Sequence, residues 1–110
     1  MEARATLRYL RVAPRKVRLV ADLVRGKRAE DALKALRFTS RAASLPLKKL
    51  VESAVANAEN NHGLDIDRLW VQEIRVDEGP TLKRFRPCSR GRAFSIHKKT
   101  SHVSVLLAEK

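Results

Sequence analysis

The sequence predicts an α+β fold: a small domain with an antiparallel sheet and three helices, plus a long protruding β-hairpin. Three observations carry this reading. Apolar residues at helical spacing are confined between Pro14 and Gly63. Alternating apolar and polar runs flank them, Glu2 to Val12 before and about Ile66 to Val76 and Val103 to Leu107 after. From Gly79 to Ala108 there is no acidic residue, and Lys83, Arg84, Arg86, Arg90, Arg92, Lys98 and Lys99 all fall in the part between the last two runs. Such a stretch cannot fold by burying itself, so it reads as a hairpin over residues 79–100, carried by one domain spanning residues 1–110.

Each element has its own signal. In the first strand Arg4, Thr6 and Arg8 alternate with Ala5, Leu7 and Tyr9, which gives one charged face. Pro14 opens the first helix at the position where its missing N–H costs nothing. Val17, Val20, Ala21 and Val24 recur at helical spacing, Leu19 and Leu23 widen the stripe, and Gly26 is the expected stop. A second helix is expected over Ala29 to Arg37, with Glu30 and Asp31 at the positive end of its dipole and Ala32, Leu33 and Leu36 inward.

The third helix has the clearest period: Leu47, Leu50, Val51, Ala54, Val55 and Ala58. Small residues at Ala54, Ala56 and Ala58 admit a close neighbour. A start near Ser40 is expected, with Pro46 distorting the helix locally. A start at Ser44 would instead leave Pro46 in the first turn. Asn60-Asn61-His62-Gly63 closes the helix.

Composition narrows the function. The 24 Lys and Arg against 12 Asp and Glu give a formal net charge of +12, and the charge is clustered, as in a nucleic-acid binder. The 44 % hydrophobic content suffices for one modest core. A lone cysteine, Cys88, builds neither an intrachain disulfide nor a zinc site and suits a reducing, cytoplasmic setting. No apolar run approaches the roughly 20 residues that span a bilayer, and no secretory signal is visible. An organelle presequence over Met1 to Val12 competes with the strand assigned there. His62, His97 and His102 lack metal-ligand spacing, so no metal and no cofactor is expected. No catalytic constellation is found, and an enzyme is not expected.

The candidate interface has two parts. In the body, Arg15, Lys16 and Arg18 sit at a helix start beside Arg8 and Arg11 on the preceding strand, where free N–H groups and the dipole favour phosphate. Arg25 and Lys27 extend this surface. In the hairpin, Lys83, Arg84, Arg86, Arg90, Arg92, Lys98 and Lys99 are the cations. Pro87 marks the end of regular pairing and Gly91 permits positive φ, which places the turn around Cys88 to Gly91. Phe85 and Phe94 flank it, to stack on bases or to cover each other. A structural RNA-binding protein is the leading reading. The competing one is a DNA-binding protein with a basic β-arm and Pro87 as a wedge. That design usually needs a symmetric dimer. No spare apolar helix face is evident for one, and no homo-oligomer is expected.

Motifs in order along the chain resemble a known family. Ala13-Pro14-Arg15-Lys16-Val17-Arg18-Leu19-Val20-Ala21-Asp22-Leu23-Val24-Arg25-Gly26-Lys27 looks like the first-helix signature of the bacterial ribosomal protein L twenty-two family of the large subunit. Glu52-Ser53-Ala54-Val55-Ala56-Asn57-Ala58-Glu59-Asn60-Asn61 is similar to its long helix. Val76-Asp77-Glu78-Gly79-Pro80-Thr81-Leu82-Lys83-Arg84 resembles the opening of its hairpin, with Arg90-Gly91-Arg92-Ala93 at the tip and Lys99-Thr100-Ser101-His102 on return. The resemblance spans essentially the whole chain.

It implies a structural constituent of the ribosome that contacts several large-subunit rRNA domains, supports early assembly and touches neighbouring large-subunit proteins. It implies a hairpin whose tip lines the peptide exit tunnel and meets the nascent peptide. Leu82, Lys83 and Arg84 would match the family's macrolide-resistance segment, and Cys88, Ser89, Arg90, Gly91, Arg92 and Ala93 the tunnel-side tip. The chain departs from the family pattern at Cys88, where a basic residue is usual, at Ser89, at Ala13, where a hydroxyl cap is usual, and at Pro46.

Overall fold

The structure, a computed structural model, describes residues 2–87 and 93–109, with the backbone alone for 83–87 and 93–97. The elements in order are β1 (Glu2–Leu10), α1 (Pro14–Ala21), α2 (Ala29–Arg37), α3 (Ser44–His62), a 3-10 turn (Ile66–Arg68), β2 (Leu69–Glu78), β3 (Leu82–Pro87), β4 (Ala93–Lys98) and β5 (Ser101–Glu109). The α+β class stands. β5 runs antiparallel between β1 and β2, and β3 pairs with β4 in a separate two-stranded ribbon.

The helices share one face of the three-stranded sheet. Val103, Val105 and Leu107 of β5 are fully buried there, against Val17 and Val20 of α1 and Leu47, Val51 and Ala54 of α3. On β2 the buried set changes parity, from Leu69 and Val71 to Ile74 and Val76. Strands have a period of two, so one extra residue must sit between them. The register against β5 shifts between Val71 and Glu73, which supplies it.

A second irregularity alters β1. Its register shifts between Leu7 and Leu10, and Tyr9 adopts φ 58°. The strand therefore ends at Leu10 rather than Val12, and Tyr9, expected on the apolar face, is 62 % exposed. Its N–H donates to Nδ1 of His102 at 3.1 Å, and the two rings meet edge to face with centroids 4.9 Å apart.

α1 is shorter than its pattern suggested. The helix stops at Ala21, and turns carry the chain through Val24, which is still buried, to Gly26 at φ 79°. Leu19 and Leu23, expected to widen the inner stripe, are exposed. α2 occupies the expected residues, with Ala29, Ala32 and Leu36 buried and Leu33 half-buried.

α3 begins at Ser44, not near Ser40. Pro46 thus lies in the first turn, where the N–H groups have no intrahelical partner and its own is not missed. Ala54 and Ala58 are buried, whereas Ala56 is exposed. Gly63 caps the helix in the left-handed conformation at φ 62°.

The Cα radius of gyration, 16.9 Å, exceeds the roughly 13 Å of a compact chain of this size. The turn expected at Cys88 to Gly91 lies outside the described residues.

Candidate nucleic-acid interface

The body and the ribbon meet at a clasp. Gly79 N–H donates to the Thr100 carbonyl at 2.9 Å, and Thr100 Oγ1 donates to the Pro80 carbonyl at 2.6 Å. Ser101 Oγ donates to the Val12 carbonyl at 2.6 Å, tying the link between β1 and α1 to the same point. Thr100 and Ser101 are both buried. A Cβ on Gly79 would lie 2.5 Å from Thr100 Oγ1 and 3.2 Å from the His102 ring, so this close approach requires glycine.

Beside the clasp is a cleft of about 580 Å³. Arg11 and Lys16 reach it from the body, Lys98 and Lys99 from the ribbon's return strand and the residue after it. Val12, Ala13 and Leu82, all half-buried, contribute apolar surface, with Ala42 and Thr100. Among the described residues no carboxylate lines it. Four cations around one concavity raise the local potential more than the same charges spread over a convex surface. Ala13 offers no side-chain cap to α1, whose N-terminal end therefore opens beside this cleft without a competing hydroxyl.

Other concave regions differ in kind. A depression of about 80 Å³ on the outer sheet face mixes Arg4 and Arg75 with Glu73 and Asp77. A groove of about 370 Å³ between β1 and α3 is lined by Leu7, Leu10, Leu45, Pro46 and Leu50, with Lys49 the only charged lining residue among those described.

The two expected groups of cations are thus brought together in part. Arg11, Lys16, Lys98 and Lys99 share the cleft. Arg8, Arg15 and Lys27 are exposed but do not line it. Arg18 and Arg25 have structural partners: Arg18 Nη2 donates to the Val76 carbonyl at 3.1 Å, and Arg25 Nη2 to the Ile74 carbonyl at 2.9 Å. Arg25 also pairs with Asp22. β2 is an edge strand, and these guanidinium groups cover carbonyls along its open side. Gly26 and Lys27 continue the cover, through Gly26 N–H to the Val71 carbonyl at 3.1 Å and Val71 N–H to the Lys27 carbonyl at 2.8 Å.

The side chains of Lys83, Arg84 and Arg86, and all of Cys88, Ser89, Arg90, Gly91 and Arg92, lie outside the described residues, as does the side chain of Ala93. Sequence reasoning missed the apolar lining from Val12, Ala42 and Leu82. It also missed the clasp, whose only local signal is a Gly-Pro pair facing a Thr-Ser pair across the hairpin root.

A basic α+β body that roots a β-ribbon beside a cationic cleft has the build of a ribonucleoprotein component. Comparison with known proteins gives the particular family. The family model for Ribosomal protein L22p/L17e matches residues 5–108. A "Large ribosomal subunit protein uL22" of Desulfitobacterium hafniense is 55 % identical over 109 residues, covering 99 % of this chain and 96 % of that protein. Its counterpart in Bdellovibrio bacteriovorus is 56 % identical over 110 residues, the full length of both. The chain belongs to the ribosomal protein L22p/L17e family. It is a structural ribosomal protein and not an enzyme.

Proposed function

We propose that this structural constituent of the large ribosomal subunit binds large-subunit rRNA through the cleft at its hairpin root and supports assembly of the subunit. The observation that carries the proposal is the convergence of Arg11 and Lys16 from the body with Lys98 and Lys99 from the ribbon. Phosphate contacts at such a point fix position and orientation without reading sequence. Selectivity then comes from the shape of the folded RNA. Exposed Arg8, Arg15 and Lys27 extend the electrostatic surface, while Arg18 and Arg25 primarily brace β2.

Residues 1–110 act in this reading as one domain, with residues 79–100 as an arm inserted into rRNA. The clasp sets the arm's departure from the body. Each ribbon strand has six residues, which at about 3.3 Å per residue carries the chain about 20 Å beyond the root. A two-stranded ribbon is marginal alone in water, so rRNA contacts by Lys83, Arg84 and Arg86 would hold it. The tip, from Cys88 to Ala93, then lines the nascent-peptide exit tunnel, and neighbouring large-subunit proteins pack on the remaining surface.

Separate substitutions test the two ends. Arg92→Ala should change stalling on some nascent peptides while incorporation into particles stays near normal. Replacing Arg11, Lys16 and Lys99 together by Ala should weaken early RNA binding and assembly, with little effect on stalling in the particles that form. Identical defects from both, by particle profiles and ribosome positioning on a stalling message, would refute the tunnel assignment.

A further inference from the structure

We infer that the cleft at the hairpin root receives one unstacked nucleotide, its base on the apolar lining and its phosphates on the cationic rim. This rests on the proposed binding of RNA and goes beyond it by assigning a pocket for a base. A surface that only tracks a phosphate backbone needs cations and solvated polar groups. This cleft has something else. Val12, Ala13 and Leu82 supply apolar surface inside it, while Arg11, Lys16, Lys98 and Lys99 stand around it. Those apolar residues are half-buried rather than sealed into the core, so the surface remains available to a ligand.

The occupant must therefore be amphipathic, with an apolar planar or compact part and negative charge close by. A basic peptide is repelled by the rim, and among the described residues no carboxylate lines the cleft to accept an ammonium or guanidinium group. A nucleotide has both required parts joined by one sugar. The volume of about 580 Å³ falls within the roughly 300–1,000 Å³ of small-molecule sites. The groove between β1 and α3 has apolar walls but one cation, and the outer-face depression has both charge signs. Neither offers the same combination.

The walls are also fixed in place. Thr100 Oγ1 is committed to Pro80 and Ser101 Oγ to Val12, so the clasp holds Val12 and Lys99 near one another before RNA arrives. A preformed pocket lowers the ordering cost of binding. RNA provides the complementary species, because loops and bulges present bases already out of the stack.

The test uses the full-length protein and two oligoribonucleotide pentamers of equal charge, one with a normal central base and one abasic at that position. Binding is followed at low salt through the methyl resonances of Val12 and Leu82. The expected result is about tenfold or more tighter binding of the pentamer with the central base, the effect of removing about 60 Å² of apolar surface from water. It should be accompanied by upfield ring-current shifts of the Val12 and Leu82 methyls that the abasic pentamer does not produce. Leu45 methyls, in the other groove, should not move with either. Equal affinities with unshifted Val12 and Leu82 methyls would overturn the base pocket and leave phosphate binding standing. Failure of both pentamers to bind at low salt would overturn the RNA-binding proposal as well.

Discussion

Gly79 and Thr100 face each other at the point where the basic ribbon leaves the sheet, joined by a 2.9 Å backbone hydrogen bond and too close for any Cβ on residue 79. The contact couples two functions of a short segment. It ends the three-stranded sheet, and it fixes the position from which Lys98 and Lys99 approach the body. The Gly-Pro break that marks the hairpin in the sequence is therefore a tight backbone junction.

This relationship predicts the effect of a single methyl group. Gly79→Ala should destabilise the protein by about 1–3 kcal/mol, as overpacking generally does. In a Thr100→Ala background the added cost should shrink, because the Oγ1 that the new Cβ meets is gone. Urea unfolding midpoints of the four proteins in the cycle measure this. Strict additivity would show that the two residues do not share the contact.

The arginines of the first helix should separate by role. Arg18→Ala removes a hydrogen bond from a charged donor to the Val76 carbonyl and should cost about 1.5–3 kcal/mol of stability. Arg15→Ala removes no such partner among the described residues and should stay within about 0.5 kcal/mol, while reducing the salt dependence of RNA binding by about one unit of slope. Thermal unfolding and salt titration of both variants check the pair of expectations.

Replacing residues Thr81 to Lys99 by a short Gly linker should leave the body folded. Every buried apolar residue among the described side chains, from Ala3 to Ala108, lies outside that segment. The clasp residue Thr100 is retained, and so are Gly79 and Pro80. A single cooperative thermal transition is the expected outcome. Its loss would place the ribbon within the cooperative core.

Much of the architecture was legible because burial and period speak directly through residues such as Leu47, Leu50, Val51, Ala54 and Ala58. Three features were not, each for a physical reason. Tyr9 continues a period of two, but a bulge next to it turns it outward, and sequence alternation carries no mark of an inserted residue. Pro46 fits either a kink or a first turn, and the choice depends on where the preceding loop lets the helix begin. Arg18 and Arg25 look like solvated cations along the helix, because their carbonyl partners lie on a strand about fifty residues later. At the site, the charges of Arg11, Lys16, Lys98 and Lys99 were readable. Their convergence was not, since it depends on how the ribbon root is clasped.

The most direct test of the account is the salt dependence of binding to a large-subunit rRNA fragment, measured for the wild-type protein and for a variant with Arg11, Lys16, Lys98 and Lys99 all replaced by Ala. Each phosphate neutralised contributes about 0.7–0.9 to the slope of log K against log salt. The account predicts a slope shallower by about 3 in the variant, with circular dichroism unchanged. An unchanged slope in the folded variant would contradict the claim that body and ribbon grip rRNA together at this cleft.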